Sequence, residues 1–278
     1  NMLNTAVGYD AGNAVTTGVQ NTLLGALAGD NLNTSSANTA VGYLALSAED
    51  SHGYNTAIGH SSLTNQNAGA QANNVAVGYY SGFSTSTGVD NTFLGTGTGG
   101  FCTTGDNNTF VGKYAALGIT GAKLTGDNNT AVGKDAGLLL QGAANANTLI
   151  GALAGDAITT AAQNVVVGVG ALSGEQAGGS NTVVGIEAQA QSNGSVGCTS
   201  IGALAGYQIS SGDNNMCLGQ DAGRSGSPGG ALTTGSNQIC LADENITHAY
   251  VQVDWSIASD ERDKTDFTAL DLGLDFVK

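Results

Sequence analysis

The chain has almost no proline, little arginine and few aromatic side chains. Pro228 is the single proline of 278 residues, Arg224 and Arg262 are the two arginines, and aromatics make up 5%. So few large rings exclude a conventional globular core of this size. Seven basic residues stand against 22 acidic ones, a formal net charge of −15. Neutralising phosphates takes lysine and arginine, so nucleic-acid binding is excluded as a function class, and docking on anionic membranes with it. No apolar run reads as a membrane-spanning helix or a signal peptide, so no membrane insertion is expected. The four cysteines, Cys102, Cys198, Cys217 and Cys240, show no CxxC spacing. That removes zinc-ribbon and dithiol redox sites and leaves them as small apolar fillers.

What the chain does have is glycine, 44 of them, and thirteen return on a period. They are Gly8, Gly25, Gly42, Gly59, Gly78, Gly95, Gly112, Gly133, Gly151, Gly168, Gly185, Gly202 and Gly219; nine of the twelve steps are 17 residues, the others 19, 21 and 18. A fixed period means one supersecondary unit stacked on copies of itself. Four residues before each glycine stands Asn, with Cys198 the exception; the residue just before it is always aliphatic; three residues after it comes Ala, Ser or Thr. A disordered low-complexity chain does not keep one column aliphatic and another small through thirteen copies. Several glycines and β-branched residues per repeat rule out helical repeats.

These columns predict an all-β fold: a parallel β-solenoid or β-roll of about 13 repeats of 17 residues. Each repeat reads as a short strand, a turn and a second extended segment. Thr5 and Val7 lie two apart and so share a face. They are assigned to the core side, and the intervening column, which varies from Ala6 to Phe93, to a less constrained side. The glycine suits a positive φ or a close backbone approach. The asparagines are expected to stack as a ladder of amide hydrogen bonds. The small column marks a tight place, an inner corner or a symmetry axis. The longer spacers, above all that between Gly112 and Gly133, are expected to bulge at a corner.

Little in the repeats points to chemistry. GDNN occurs at 105–108, 126–129 and 212–215. Its oxygens are a calcium candidate, but the glycine-rich calcium-roll signature is absent and turn chemistry accounts for Gly-Asp-Asn. No cofactor and no metal ligand set are therefore expected. Tyr9, His60, Tyr79, Tyr80, Lys113 and Tyr114 follow the glycine closely and are candidates to touch sugars, with ordinary exposed surface as the plainer account. One Thr per coil, assigned to the core side, argues against an ice-binding array.

After Gly219 the period degrades. Residues 1–223 read as the repeat shaft and 224–258 as an altered last coil followed by a cap or neck strand. In that strand Val251, Val253, Trp255 and Ile257 alternate with polar residues. Residues 259–278 have another composition, dense in charge. There SDERDKTD, from Ser259 to Asp266, and LGLDFVK, from Leu272 to Lys278, resemble the start of the intramolecular-chaperone domain of endosialidase and phage tail-spike proteins; the match covers about 20 residues. Asn237–Leu241 resembles the block that often precedes that domain. The resemblance implies a trimeric fibre whose C-terminal domain assists trimerisation and then cuts itself off. It further implies a Ser–Lys dyad: Ser259 as nucleophile on the Ala258 carbonyl, Lys264 as general base, with Asp260 and Arg262 completing the motif. Such a dyad acts once per chain, so turnover enzymology is not expected. More loosely, the NTxxG blocks resemble trimeric autotransporter adhesin heads, which implies three chains around one axis.

The function expected is a structural fibre or tail-spike shaft for host-surface attachment, a homotrimer on a virion tail or another extracellular appendage, whose partner is a host receptor or glycan. The alternatives are a bacterial trimeric surface adhesin and, with few Glu and Arg to build a site, a β-helical glycan-degrading enzyme.

Overall fold

A computed structural model describes residues 3–250. Fourteen three-residue strands, β1 (Thr5–Val7) through β14 (Ile239–Leu241), form one parallel sheet in strict sequence order. Each strand pairs with the next in the register the columns demand: Thr5 lies opposite Thr22 and Val7 opposite Leu24. The chain is thus an all-β solenoid in which one repeat makes one turn. The extended segment on the far side of each turn does not become a regular strand. It is tied coil to coil by single bonds, such as Thr16 N–H to Asn33 O and Asn33 N–H to Asp50 O, both 2.9 Å. The altered last coil contributes β14, paired with β13 (Met216–Leu218) across the longer step from Cys217 to Cys240.

The glycine column is obligatory for two reasons. Its φ runs from +112° at Gly219 to +144° at Gly168, a region closed to L side chains. The glycines also stack on one another: a Cβ on Gly95 would lie 2.6 Å from the carbonyl oxygen of Gly112. The asparagine ladder forms as expected and is also a clamp. Each Oδ1 accepts the backbone N–H at the same place in the next coil, as Asn74 Oδ1 does from Asn91 at 2.8 Å and Asn181 Oδ1 from Cys198. The Nδ2 donates to a carbonyl three residues before that place, as Asn91 does to Gly105 at 2.8 Å. Both ends of the buried amide are thereby satisfied, except that Asn38 reaches the Ser35 hydroxyl instead and Asn55 Nδ2 has no partner.

The face assignment is the reverse of expectation. From β2 onward the middle residue of each strand is buried, while the Thr and the pre-glycine aliphatic residue point outward. Alternation says that two faces exist, not which is inside, and β-branching reflects strand preference rather than burial. The middle column varies in size because it fills the core in concert with the turns. Phe93 and Phe110 stack with ring centroids 5.6 Å apart, and the turns beside Phe93 carry glycine: a Cβ on Gly99 would meet its ring at 2.6 Å. Where the strand centre is Ala40 or Ala57, the turn supplies Leu46 or Leu63, fully buried, at the place of that glycine. The small column is likewise inside a single chain. Ala28, Ala45, Ser62 and Ala115 are fully buried, so this column marks the solenoid interior and not a symmetry axis.

The long spacer does bulge. Ile119 and Ala122 form a small antiparallel bridge, and Leu124 then re-enters the stack between Cys102 and Gly142. All four cysteines are free and buried. Burial pushes the Cys102 and Cys217 thiols up to about 12, which fits inert fillers.

Candidate functional site

The expected cleavage machinery, Ser259, Asp260, Arg262 and Lys264 with the Ala258–Ser259 bond, lies outside the described residues, as does the expected cap strand Val251–Ile257. Three arrangements stand out among the described ones.

The first is the outward sheet face. Its pre-glycine column is aliphatic in every coil, yet Val7, Leu24, Ile58, Ile150 and Ile201 are exposed. The adjoining column of threonines, Thr22, Thr39, Thr56 and their equivalents, is exposed or half-buried. A side chain that is apolar at every repeat and open to water in the single chain is the mark of a contact surface.

The second is an aromatic column on the residue after the glycine. Tyr43 and His60 have ring centroids 5.1 Å apart, and His60 and Tyr79 5.3 Å. Tyr80 joins His60 at 5.9 Å and Tyr79 at 4.4 Å, and Phe83 joins Tyr80 at 4.7 Å. Crowding, and then Tyr80 and Tyr114, push the Tyr79 hydroxyl above its ordinary pKa. Lys113 Nζ sits 4.8 Å from the centre of the Tyr114 ring. The structure therefore gathers His60, Tyr79 and Tyr80 of the six sugar-contact candidates and places Lys113 and Tyr114 in later coils. Tyr43 and Phe83 were missed. Tyr43 was legible as the same column one coil before His60, whereas Phe83 joins only through the turn that folds it back on Tyr80.

The third is a pair of buried glutamates, Glu49 and Glu175, each seven residues after its glycine, where other coils carry Leu32, Leu140 or Ile158. Glu175 Oε1 accepts from the N–H groups of Gln176, Ala177, Gly178 and Gly194, and Oε2 accepts from the Ser192 hydroxyl at 2.7 Å and the Ser195 N–H. Ser192 and Ser200 are both bonded to Gln189, so a buried polar layer joins these coils. Glu49 Oε1 accepts from His52 N–H at 2.9 Å, but Oε2 has no partner. Burial pushes its carboxyl above the ordinary range, against the lowering effect of neighbouring N–H groups.

The aspartates of the GDNN motifs work as turn ladders. Asp106, Asp127 and Asp213 accept from the N–H groups of Val89, Asp106 and Val196, each at 2.8 Å. Among the described residues no three His, Cys, Asp or Glu side chains gather as a metal site. Carboxylates and an arginine do meet around an open depression of about 290 Å³ lined by Asp221, Arg224, Asp243 and Glu244, a grouping the sequence did not reveal. There the bonded Arg224 guanidinium holds the Asp221 carboxyl below its usual range.

By fold the chain is a parallel β-solenoid repeat protein. Comparison with protein-family models, curated proteins and solved structures returns no match.

Proposed function

We propose that this chain is the shaft of a homotrimeric attachment fibre, carried on a virion tail or another extracellular appendage. The observation that carries the reading is the outward aliphatic column, repeated at every coil and exposed or half-buried in the single chain. A partner must offer a matching apolar group at each layer, about 4.8 Å apart, and a second copy of the same solenoid does so by construction. The net charge of −15 keeps assembled shafts apart through mutual repulsion. In this proposal maturation ends with a single cut: Ser259 Oγ attacks the Ala258 carbonyl as Lys264 takes the hydroxyl proton, the Ala258–Ser259 C–N bond breaks as Lys264 returns that proton to the leaving amine, and water hydrolyses the resulting ester, releasing the Ala258 carboxylate and a new amino terminus at Ser259. A trimer is expected by light scattering, and a monodisperse monomer overturns it. A shortened mass in the full-length product, restored by Ser259→Ala, is expected of the dyad; equal uncut masses remove it.

One observation favours a second reading. The Thr column points outward, so the ground for setting aside ice binding has gone. A regular Thr and aliphatic face is what an ice-binding sheet presents, although Tyr43, His60, Tyr79, Lys113 and Lys134 project beside it. Thermal hysteresis in dilute solution decides for this reading and its absence decides against it.

A further inference from the structure

The residue after the periodic glycine reads Tyr43, His60, Tyr79, Thr96, Lys113, Lys134 over six successive coils. The fold does not ask for rings here, because the same column holds Ala26, Ala152 and Ala203 elsewhere. The rings are nevertheless in contact from coil to coil, at 5.1 and 5.3 Å, and Tyr43, His60 and Tyr79 are exposed. In a chain with 5% aromatics, Tyr43, Tyr79, Tyr80 and Phe83 thus meet around His60 on one open strip. The aliphatic column of the sheet face runs through every coil, whereas rings occupy four, Tyr9 alone and then Tyr43, His60 and Tyr79 in succession, so a contact between identical repeats does not call for them.

Charge singles out the same strip. Four basic residues fall in the described range, Lys113, Lys123, Lys134 and Arg224, and two of them, Lys113 and Lys134, stand in this column. Lys134 pairs with Asp135. Lys113 lies over the Tyr114 ring and, among the described residues, meets no carboxylate. On a molecule of net charge −15, the strip therefore joins ring faces to cations within a span of roughly 24 Å, at about 4.8 Å per coil.

We infer that this strip binds an extended acidic glycan. The apolar faces of successive sugar rings lie on Tyr43, His60 and Tyr79, and a carboxylate or sulfate substituent reaches Lys113. An open strip, rather than a pocket, takes a chain lengthwise. Rings with polar edges supply both the apolar face and the hydrogen bonds that sugar hydroxyls need. The spacing of the rings is close to the repeat of an extended saccharide. This deepens the attachment reading above by naming the ligand class and the coils that hold it.

The test uses the assembled protein with alginate hexamer as the acidic probe and dextran hexamer as the neutral one. Titration calorimetry follows binding, and light scattering follows mass on the same samples. Alginate is expected to bind, to weaken about tenfold in the Tyr43→Ala/His60→Ala/Tyr79→Ala variant, and to weaken again with added salt and in Lys113→Ala. Dextran is expected to bind less tightly. Absent alginate binding, or binding unchanged in the triple variant, overturns the inference. So does a triple variant that falls apart into single chains, because the rings would then belong to the contact between copies. Binding that ignores Lys113→Ala and salt overturns the acidic ligand. A wild type that is monomeric yet binds alginate through these rings overturns the trimeric shaft and leaves this inference standing.

Discussion

Glu49 and Glu175 occupy the same column, and both follow a buried leucine in the preceding turn, Leu46 and Leu172. Their surroundings differ through the coil stacked above. Above Glu175 the next step keeps 17 residues, and the N–H groups of Gly194 and Ser195 arrive under the carboxylate. Above Glu49 the step from Gly59 to Gly78 is two residues longer. In these coils Gln66 Nε2 and Asn55 Nδ2 are left without partners, as is Glu49 Oε2. The asparagine clamp fails at the same place. Asn38 reaches the Ser35 hydroxyl, which bonds the His52 carbonyl, instead of clamping that carbonyl directly. Two residues of extra chain thus turn a saturated buried carboxylate into an unsaturated one.

Three substitutions test the contrast. The largest effect is expected for Glu175→Ala, which orphans several buried donors and costs about 3 kcal/mol. Glu49→Ala removes the bond from His52 N–H and the weaker approaches of the Ser51 and Ala68 N–H groups, and is expected to cost about 1 kcal/mol or less. Equal losses in chemical denaturation would show that the two sites are alike. The second effect is on pH. The raised folded pKa of Glu49, above its ordinary 4.5, means that the folded chain binds this proton more tightly than the unfolded chain. The contribution of Glu49 to stability is therefore most favourable below the ordinary carboxylate range, falls as pH rises through the window up to the raised value, and then levels off. Glu49→Gln is expected to flatten that decline. Half-buried Asp30 and Asp156, pushed up mainly by desolvation, keep a residual slope of the same sign. The smallest effect is at neutral pH, where Glu49→Gln is expected to gain about 1 kcal/mol by removing a buried charge with an unpartnered oxygen. A loss, or an unchanged pH profile read by thermal melts, would break the account.

Much of the fold was legible because each column serves one contact that every coil repeats. The glycine meets a glycine, the asparagine an asparagine, and no distant residue intervenes. Faces were harder. Thr5-Ala6-Val7 is compatible with either side being buried, and only the fit of Phe93 against Gly99, or of Leu46 above Ala40, decides it. The glutamates were not picked out for the same reason: Glu49 and Glu175 look like surface residues until the turn carries them inward. The aromatic column was half visible, with His60, Tyr79 and Tyr80 named and Tyr43 and Phe83 overlooked. Of the Ser259–Lys264 motif, outside the described residues, the sequence alone speaks.

The sequence by itself determined the period, the parallel stacking in register and the columns where glycine and asparagine must stand, because a repeated local contact needs no knowledge of the rest of the chain. Tertiary structure alone decided which strand face is core, which carboxylates are buried and which rings meet. Those outcomes depend on how each turn closes back over the strand and on which groups the neighbouring coil delivers at that level.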